Sequence, residues 1–344
     1  MAAWVPGFRK PDNRISLALQ GGGAHGAFSW GVLDALLADP RVLFDGISGA
    51  SAGAMNAVVL AHGWMTGGRD GARQALADFW TDVGRQLPPS LVTQGHDDTF
   101  RLAPVAQWFA AWAGYFAPVQ LNPLQLNPLR ELVLQRIDFT RLRVDCPFRL
   151  FVAATNVATG RLRLFREHEL TAEMLLASAC LPRIHHTVEI DGEPYWDGGF
   201  SANPAVHPLV HDCSSRDILL VLLSPLRREG TPVNRDEIET RIGELGFTTH
   251  LMRELQLYVR LIEAAGVSFL AAGRLERRLR RLRFHLIEAG EVAALQRSDT
   301  KLLAHGPFLE MLRDAGRAHG QAWLERSFEG VGRRSTVDLE ALFG

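Results

Sequence analysis

The chain has 344 residues, 47% of them hydrophobic, so it can bury a large core and is neither disordered nor fibrous. Its 37 basic and 38 acidic residues give a formal charge of −1, so no global charge favours nucleic acid or an acidic partner. The cysteines Cys146, Cys180 and Cys213 lack metal-type spacing and are odd in number, which favours a reduced compartment.

The N-terminal sequence MAAWVPGFRKPDNR has no apolar core of signal-peptide length. The longest uncharged stretch, Leu102–Leu129, holds four prolines, which argues against a membrane-spanning helix. We therefore expect a cytoplasmic protein without a Sec signal peptide or a transmembrane helix. Aromatic residues in residues 102–129 predict peripheral membrane contact through this stretch. They are Trp108, Phe109, Trp112, Tyr115 and Phe116.

Strand and helix patterns alternate at the start of the chain. The apolar run Ile15–Gln20 predicts a buried parallel strand, and Ala27–Ala38 predicts the helix that follows it. A second strand at Val42–Ile47 then leads into a helix that begins near Ala52. This βαβα order predicts an α/β fold.

Later segments continue the mixture of helices and strands. Helices are predicted at Gly71–Gly84, Pro104–Phe116, Pro128–Arg136 and Thr171–Ala179. Strands are predicted at Phe148–Thr155 and Leu162–Phe165, on both sides of an Asp-Gly turn at Asp191 and Gly192, and at Asp217–Ser224 as the last core strand. After Pro225 the charge density rises and helical periodicity dominates, with Phe284–Ile287 the one strand-like run.

A glycine-rich loop follows the first predicted strand. Gly21, Gly23 and Gly26 fit the G-x-G-x-x-G pattern of dinucleotide-binding folds, and Asp45 stands where such a fold would hold a ribose. A glycine loop at a helix N-terminus is, however, a general anion cradle, because free backbone N–H groups and the helix dipole point outward there. It could hold a pyrophosphate or the oxyanion of an ester under attack.

The second predicted strand runs into the sequence Gly49-Ala50-Ser51-Ala52-Gly53, a G-x-S-x-G motif. A nucleophile elbow places its serine on a sharp turn between a strand and a helix, where flanking side chains must be small. The context here meets that requirement. If the first two strands are parallel neighbours, the glycine loop lies beside Ser51 and can donate to an oxyanion.

A nucleophilic serine also needs a base. Asp197 follows a short predicted strand in YWDGGF, and the two glycines after it let a carboxylate approach a crowded centre. A triad with the chain order serine, acid, histidine is the alternative, with His207 or His211 after Asp197. The residues by themselves leave both arrangements open.

Taken together, the motifs resemble the patatin-like phospholipase family over approximately residues 12–225. The resemblance rests on GGGAHG, GASAG, ATNVATG and ASACLPRIHHTVEIDGEPYWDGG. It implies a three-layer α/β/α fold with a mostly parallel central sheet and a Ser51–Asp197 dyad without a catalytic histidine. The implied oxyanion-hole residues are Gly21, Gly22, Gly23, Ala24, His25 and Gly26, and the elbow glycines are Gly49 and Gly53.

The function implied by this resemblance is a serine-dependent lipid acyl hydrolase of the phospholipase A or esterase type, acting through an acyl-serine without cofactor or metal. An acyltransferase, or a hydrolase of other esters, would use the same dyad. A nucleotide-binding, non-hydrolytic module is the alternative from another class, and in it Ser51 would be dispensable. No nucleic acid partner is expected, and the oligomeric state is left open.

The resemblance is incomplete at three places. Family members often carry Arg or Lys where this chain has His25, so any charge there would depend on pH. Many have an aspartate where Asn156 stands, and we expect Asn156 to be structural. Residues 226–344 match no family that we can name and are predicted to be a mainly helical extension of a catalytic domain at 12–225.

Overall fold

The described residues contain ten strands, which form one large sheet and a separate antiparallel pair. The computed structural model describes residues 13–343, except 96–99, 105, 107, 109–117, 123–125, 229, 268–272 and 291. The strands are β1 (Arg14–Leu19), β2 (Leu43–Ala50), β3 (Val92–Gln94), β4 (Phe100–Leu102), β5 (Arg149–Asn156), β6 (Leu162–Arg166), β7 (Val188–Ile190), β8 (Glu193–Asp197), β9 (Asp217–Leu222) and β10 (Arg283–Glu288).

Eight of these strands form the main sheet, which is mostly parallel. Its order is β10-β9-β1-β2-β5-β8-β7, and β6 also pairs with β5. The five strands from β10 to β5 pair in parallel, whereas β6 and β8 pair antiparallel with β5, and β7 pairs antiparallel with β8. The antiparallel pair β3–β4 is a separate two-stranded sheet.

Helices lie between and beyond the strands. The α-helices are α1 (Gly26–Ala38), α2 (Ala52–Gly84), α3 (Pro118–Leu121), α4 (Pro128–Arg136), α5 (Phe139–Asp145), α6 (Ala172–Ser178), α7 (His207–Asp212), α8 (Arg235–Val267), α9 (Arg274–Leu279), α10 (Gly306–Arg326) and α11 (Leu339–Phe343). No helix in the described ranges has both the length and the apolar character needed to cross a bilayer.

Two apolar cores cover the two faces of the sheet. Because successive strand residues point to opposite faces, Leu219 and Val221 of β9 belong to one core, while Ile218 and Leu220 belong to the other. The larger core packs α1, α2 and α10 against the sheet, and the smaller one packs α7 and α8. The architecture is therefore a three-layer α/β/α sandwich with additional C-terminal helices.

The predicted βαβα opening is confirmed, with each boundary within a few residues of its expected place. The helix predicted separately at Gly71–Gly84 is the second part of α2, which is interrupted by non-helical backbone at Gly67 and Gly68. The turn predicted at Asp191 and Gly192 is also confirmed, since both residues have positive φ between β7 and β8. Much of the helix predicted at residues 104–116 lies outside the described residues, as do four of the aromatic residues predicted to contact a membrane.

The prediction that Asp217–Ser224 is the last core strand is wrong. β10 pairs in parallel with β9 along its whole length, so the sheet continues past residue 225. Helix α10 then packs closely along α1, since a Cβ on Gly316 would collide with the carbonyl oxygen of Phe28. The C-terminal region therefore contributes both a strand and a covering helix to the layered structure.

Candidate active site

Ser51 lies on a sharp turn between β2 and α2. Its φ of 53° is positive, a backbone conformation that residues other than glycine rarely adopt. A Cβ on Gly49 would lie 2.5 Å from the backbone carbon of Gly53, and a Cβ on Gly53 would collide with the carbonyl oxygen of Leu19. Strand and helix approach so closely here that both glycines are required. The local geometry is that of a nucleophile elbow.

Strand β5 lies between β2 and β8 and places Asp197 next to this turn. Ala153 of β5 pairs with Ala50, the residue before Ser51, and the following residue, Ala154, pairs with Asp197. Two chain segments far apart in sequence therefore meet at adjacent positions of one strand. The structure brings Ser51 and Asp197 together.

Burial dominates the electrostatics of Asp197. Its Oδ1 atom accepts a 2.7 Å hydrogen bond from the N–H of Gly199, while Oδ2 is buried without a hydrogen-bond partner in the described part of the chain. Burial raises the pKa of Asp197 from 3.8 to about 7, and the Gly199 N–H and the nearby Ser51 hydroxyl lower it only in part. The carboxyl group can therefore exchange a proton near neutral pH.

The glycine loop lies directly beside the elbow. Leu19 at the end of β1 pairs with Gly49, so the two strands end side by side as expected. A Cβ on Gly21 would lie only 2.8 Å from the Cβ of Ser51. The loop continues as a 3-10 helix, Gly23–His25, before α1 begins at Gly26.

Asn203 binds the first glycine of the loop. Its Oδ1 atom accepts a 2.7 Å hydrogen bond from the N–H of Gly21, and its Nδ2 donates to the carbonyl of the same residue. The Gly21 N–H is therefore occupied in this structure. The N–H groups of Gly22, Gly23 and Ala24 remain as the loop's candidate donors to an oxyanion.

His25 is buried and neutral. Burial and the nearby charge of Lys301 lower the pKa of His25 to about 3, with only a small opposing effect from Asp299. Any charge on His25 would therefore appear only well below neutral pH. A side chain with 1% exposure has no water to stabilise an imidazolium.

The two histidines of the alternative triad lie elsewhere. The Nδ1 atom of His207 is 3.4 Å from a carboxylate oxygen of Glu254, and His211 is exposed near the end of α7. Among the described residues neither histidine forms a hydrogen bond with Ser51 or Asp197. The geometry favours a dyad over a triad.

Asp45 does not lie where a ribose-binding carboxylate would have to be. It stands near the start of β2, whereas the glycine loop follows the end of the neighbouring strand. Its Oδ2 atom accepts hydrogen bonds from the N–H groups of Ser214 and Ser215, at 2.5 and 2.6 Å. Asp45 therefore stabilises a turn at the opposite edge of the sheet, which argues against the nucleotide-binding alternative.

Asn156 has the structural role expected of it. Its Oδ1 atom accepts hydrogen bonds from both the N–H and the hydroxyl of Thr159, and its Nδ2 donates to Glu193. These contacts close the turn after β5.

Sequence reasoning missed two polar side chains that support the site, Ser178 and Asn203. Ser178 bonds to the backbone of Ser51, and Asn203 bonds to Gly21. The motif ASAC contains Ser178 but carries no sign of its partner, and no spacing relates residues 203 and 21. Only the folded chain identifies these contacts.

A model of the patatin-like phospholipase family matches residues 17–210, which is more than half of the chain. The chain belongs to the patatin-like phospholipase family. The matched range contains the glycine loop, the elbow and Asp197, and membership indicates a hydrolase that acts on lipid esters. Residues 226–344 lie outside the patatin match.

Two other comparisons add little to this assignment. The solved structure of VipD from Legionella pneumophila is similar over 90% of this chain and 67% of its own, with 17% identity and a TM-score of 0.36. A comparison with curated proteins found no match. The assignment therefore rests on the family match.

Proposed function

We propose that this patatin-like protein is a serine-dependent lipid acyl hydrolase of the phospholipase A or esterase type. Ser51 would be the nucleophile and Asp197 the general base. The observation that carries the proposal is the free Oδ2 atom of Asp197, which is buried beside the strained elbow while Oδ1 is held by Gly199.

The two residues supply a complete acyl-transfer cycle. Asp197 accepts the hydroxyl proton of Ser51 as Oγ attacks the ester carbonyl carbon. The bond from that carbon to the alcohol oxygen then breaks, and Asp197 returns the proton to the leaving alcohol. In the second half, water gives a proton to Asp197 and attacks the acyl-serine, and Ser51 regains its proton as the fatty acid leaves.

Two features would stabilise the negative oxygen of the tetrahedral intermediate. The backbone N–H groups of Gly22, Gly23 and Ala24, in the loop beside Ser51, would donate hydrogen bonds to this oxygen. Helix α2 begins directly after Ser51, so its dipole favours a negative charge there. Each lost donor of this kind costs on the order of 10²–10³ in rate.

Residues 102–129 are proposed to contact the lipid surface. Within the described part of this stretch, Trp108 and Leu126 are 68% and 66% exposed. Large apolar side chains with such exposure suit insertion at a bilayer interface.

The proposed function is tested with a soluble nitrophenyl ester and a phospholipid as substrates. Ser51→Ala and Asp197→Asn should each lose nearly all hydrolysis of both, while His207→Ala and His211→Ala, the control variants, should keep it. Near wild-type turnover by Ser51→Ala would rule out the serine mechanism. Transfer to an added alcohol that outpaces hydrolysis would instead identify an acyltransferase with the same dyad.

A further inference from the structure

A C-terminal segment outside the family match covers the glycine loop. It consists of two 3-10 helices, Ala293–Gln296 and Ser298–Leu302. The carbonyl oxygen of Lys301 lies so close to Gly23 that any Cβ there would collide with it. Gly23 also has a positive φ of 59°. The conformation of the loop and the position of this segment are therefore linked.

The same segment binds the one polar side chain of the loop. The Nε2 atom of His25 lies 2.7 Å from Oγ1 of Thr300, and the two residues are only 1% and 3% exposed. Oγ1 of Thr300 is also 2.9 Å from the carbonyl oxygen of Ala294 and 2.8 Å from that of Arg297.

These contacts favour a proton on Nε2 of His25. The Thr300 hydroxyl has a single hydrogen, and a carbonyl oxygen can only accept. The contacts are compatible with one another when Thr300 donates to one of the two carbonyls and His25 donates from Nε2 to Oγ1. Burial lowers the pKa of His25 to about 3, so the ring is neutral and carries a single proton.

We propose that Thr300 is a positioning residue for the oxyanion loop, acting through the side chain of His25. The inference rests on the proposed function and assigns a role to the C-terminal region. Between Gly21 and Gly26 the other residues are glycine or alanine, so His25 has the only side chain of the loop that can form a hydrogen bond. Asn203 holds the backbone of Gly21 at one end, and Thr300 holds His25 at the other.

Removing the hydroxyl of Thr300 should therefore impair catalysis more than binding. In Thr300→Val, which keeps the shape of the side chain, kcat for a soluble ester should fall about 10-fold to 100-fold with KM little changed, because donors misplaced by about 1 Å lose that much rate. Inactivation of Ser51 by a fluorophosphonate, whose phosphoryl oxygen would occupy the same hole, should slow in parallel. Thr300→Ser retains the hydroxyl and should recover most of the activity.

The chain offers a matched control at another edge of the sheet. Oγ1 of Thr336 lies 2.8 Å from Nδ1 of His285, so Thr336→Val also breaks a threonine–histidine hydrogen bond. Thr336→Val should lower the Tm but leave kcat unchanged. A wild-type kcat in Thr300→Val, an equal loss of kcat in both valine variants, or no recovery in Thr300→Ser would each overturn the proposal.

Two further measurements keep the test decisive. Nitrogen NMR of the wild type should show His25 neutral and protonated on Nε2 throughout the neutral range, and a titration near the ordinary value of about 6.5 would contradict the proposal even if Thr300→Val does not fold. Ser51→Ala is assayed in the same series. If Ser51→Ala is inactive while Thr300→Val is normal, only the role of Thr300 fails; if Ser51→Ala is active, the proposed function itself fails.

Discussion

The backbone N–H of Ser51 points at Ser178, a residue at the end of α6 that is fully buried. The Oγ atom of Ser178 lies 3.0 Å from this nitrogen, and its carbonyl oxygen lies 3.1 Å away. The strained turn that presents Ser51 is therefore held by a hydrogen bond that its N–H donates to Ser178, and the hydroxyl and carbonyl oxygens of Ser178 share it. Positive φ at a residue other than glycine persists only where such contacts stabilise it.

Ser178→Ala is expected to weaken this support without abolishing it, because the carbonyl of residue 178 still accepts from Ser51. The free energy of unfolding should fall by about 1 kcal/mol, and kcat should drop roughly 10-fold as Ser51 becomes less well placed. Ser29→Ala is the control, since the buried hydroxyl of Ser29 has no hydrogen-bond partner in the described structure. That variant should be as stable as the wild type or more so, with unchanged kcat. Equal effects of the two substitutions would contradict the role of Ser178.

The activity should depend on pH through Asp197. A general base acts as the carboxylate, so kcat/KM should rise with pH and level off above the pKa of about 7. A pH series with the soluble ester measures this directly. A profile that is flat through the neutral range would show that Asp197 is not the group that titrates.

Stability should show the opposite trend. Because burial raises the pKa of Asp197 above its ordinary value of 3.8, the folded state holds a proton that the unfolded state has lost between these two values. The resulting stabilisation is fully present below about 3.8 and disappears as the pH rises through about 7. Asp197→Asn cannot lose a proton there, so its Tm should exceed that of the wild type by a margin that widens over this interval. A constant difference in Tm would mean that Asp197 does not change its charge on unfolding.

Gly23→Ala is expected to remove activity. Gly23 combines a positive φ of 59° with the nearby carbonyl of Lys301, so a methyl group must displace the oxyanion loop. Gly68 provides the control, since its φ is 60° but nothing lies within 4 Å of a Cβ built there. Gly68→Ala should therefore show the cost of backbone strain alone, about 1–2 kcal/mol of stability, with kcat unchanged. If Gly23→Ala keeps wild-type kcat, the loop does not form the oxyanion hole.

The proposed membrane contact is tested at Trp108. Trp108→Ala should reduce co-sedimentation with phospholipid vesicles and leave turnover of the soluble ester unchanged, because an exposed side chain contributes to binding rather than to the fold. Val144 on α5 is also exposed and lies outside residues 102–129, so Val144→Ala serves as the control. Loss of vesicle binding in both variants would indicate general surface hydrophobicity instead of a specific contact.

Local patterns in the sequence were enough to predict the catalytic candidates and the opening of the fold. Glycines with a fixed spacing after an apolar strand, and small residues around Ser51, express constraints that act within a few residues, such as a tight turn or a close approach of strand and helix. The parallel pairing of β1 and β2 then follows from the right-handed βαβ connection. For these reasons the juxtaposition of the glycine loop with Ser51 could be predicted from sequence.

Contacts between distant segments could not be predicted in this way. Ser178, Asn203 and Thr300 reach the elbow and the glycine loop from 127, 182 and 275 residues away, and no local pattern encodes a hydrogen bond over such separations. The neutral state of His25 and the raised pKa of Asp197 depend on burial, which arises only when the layers of the fold close over them. Likewise β10 joins the sheet because it pairs in parallel with β9. The change of composition after Pro225 gives no sign of this pairing, because it depends on how the chain packs.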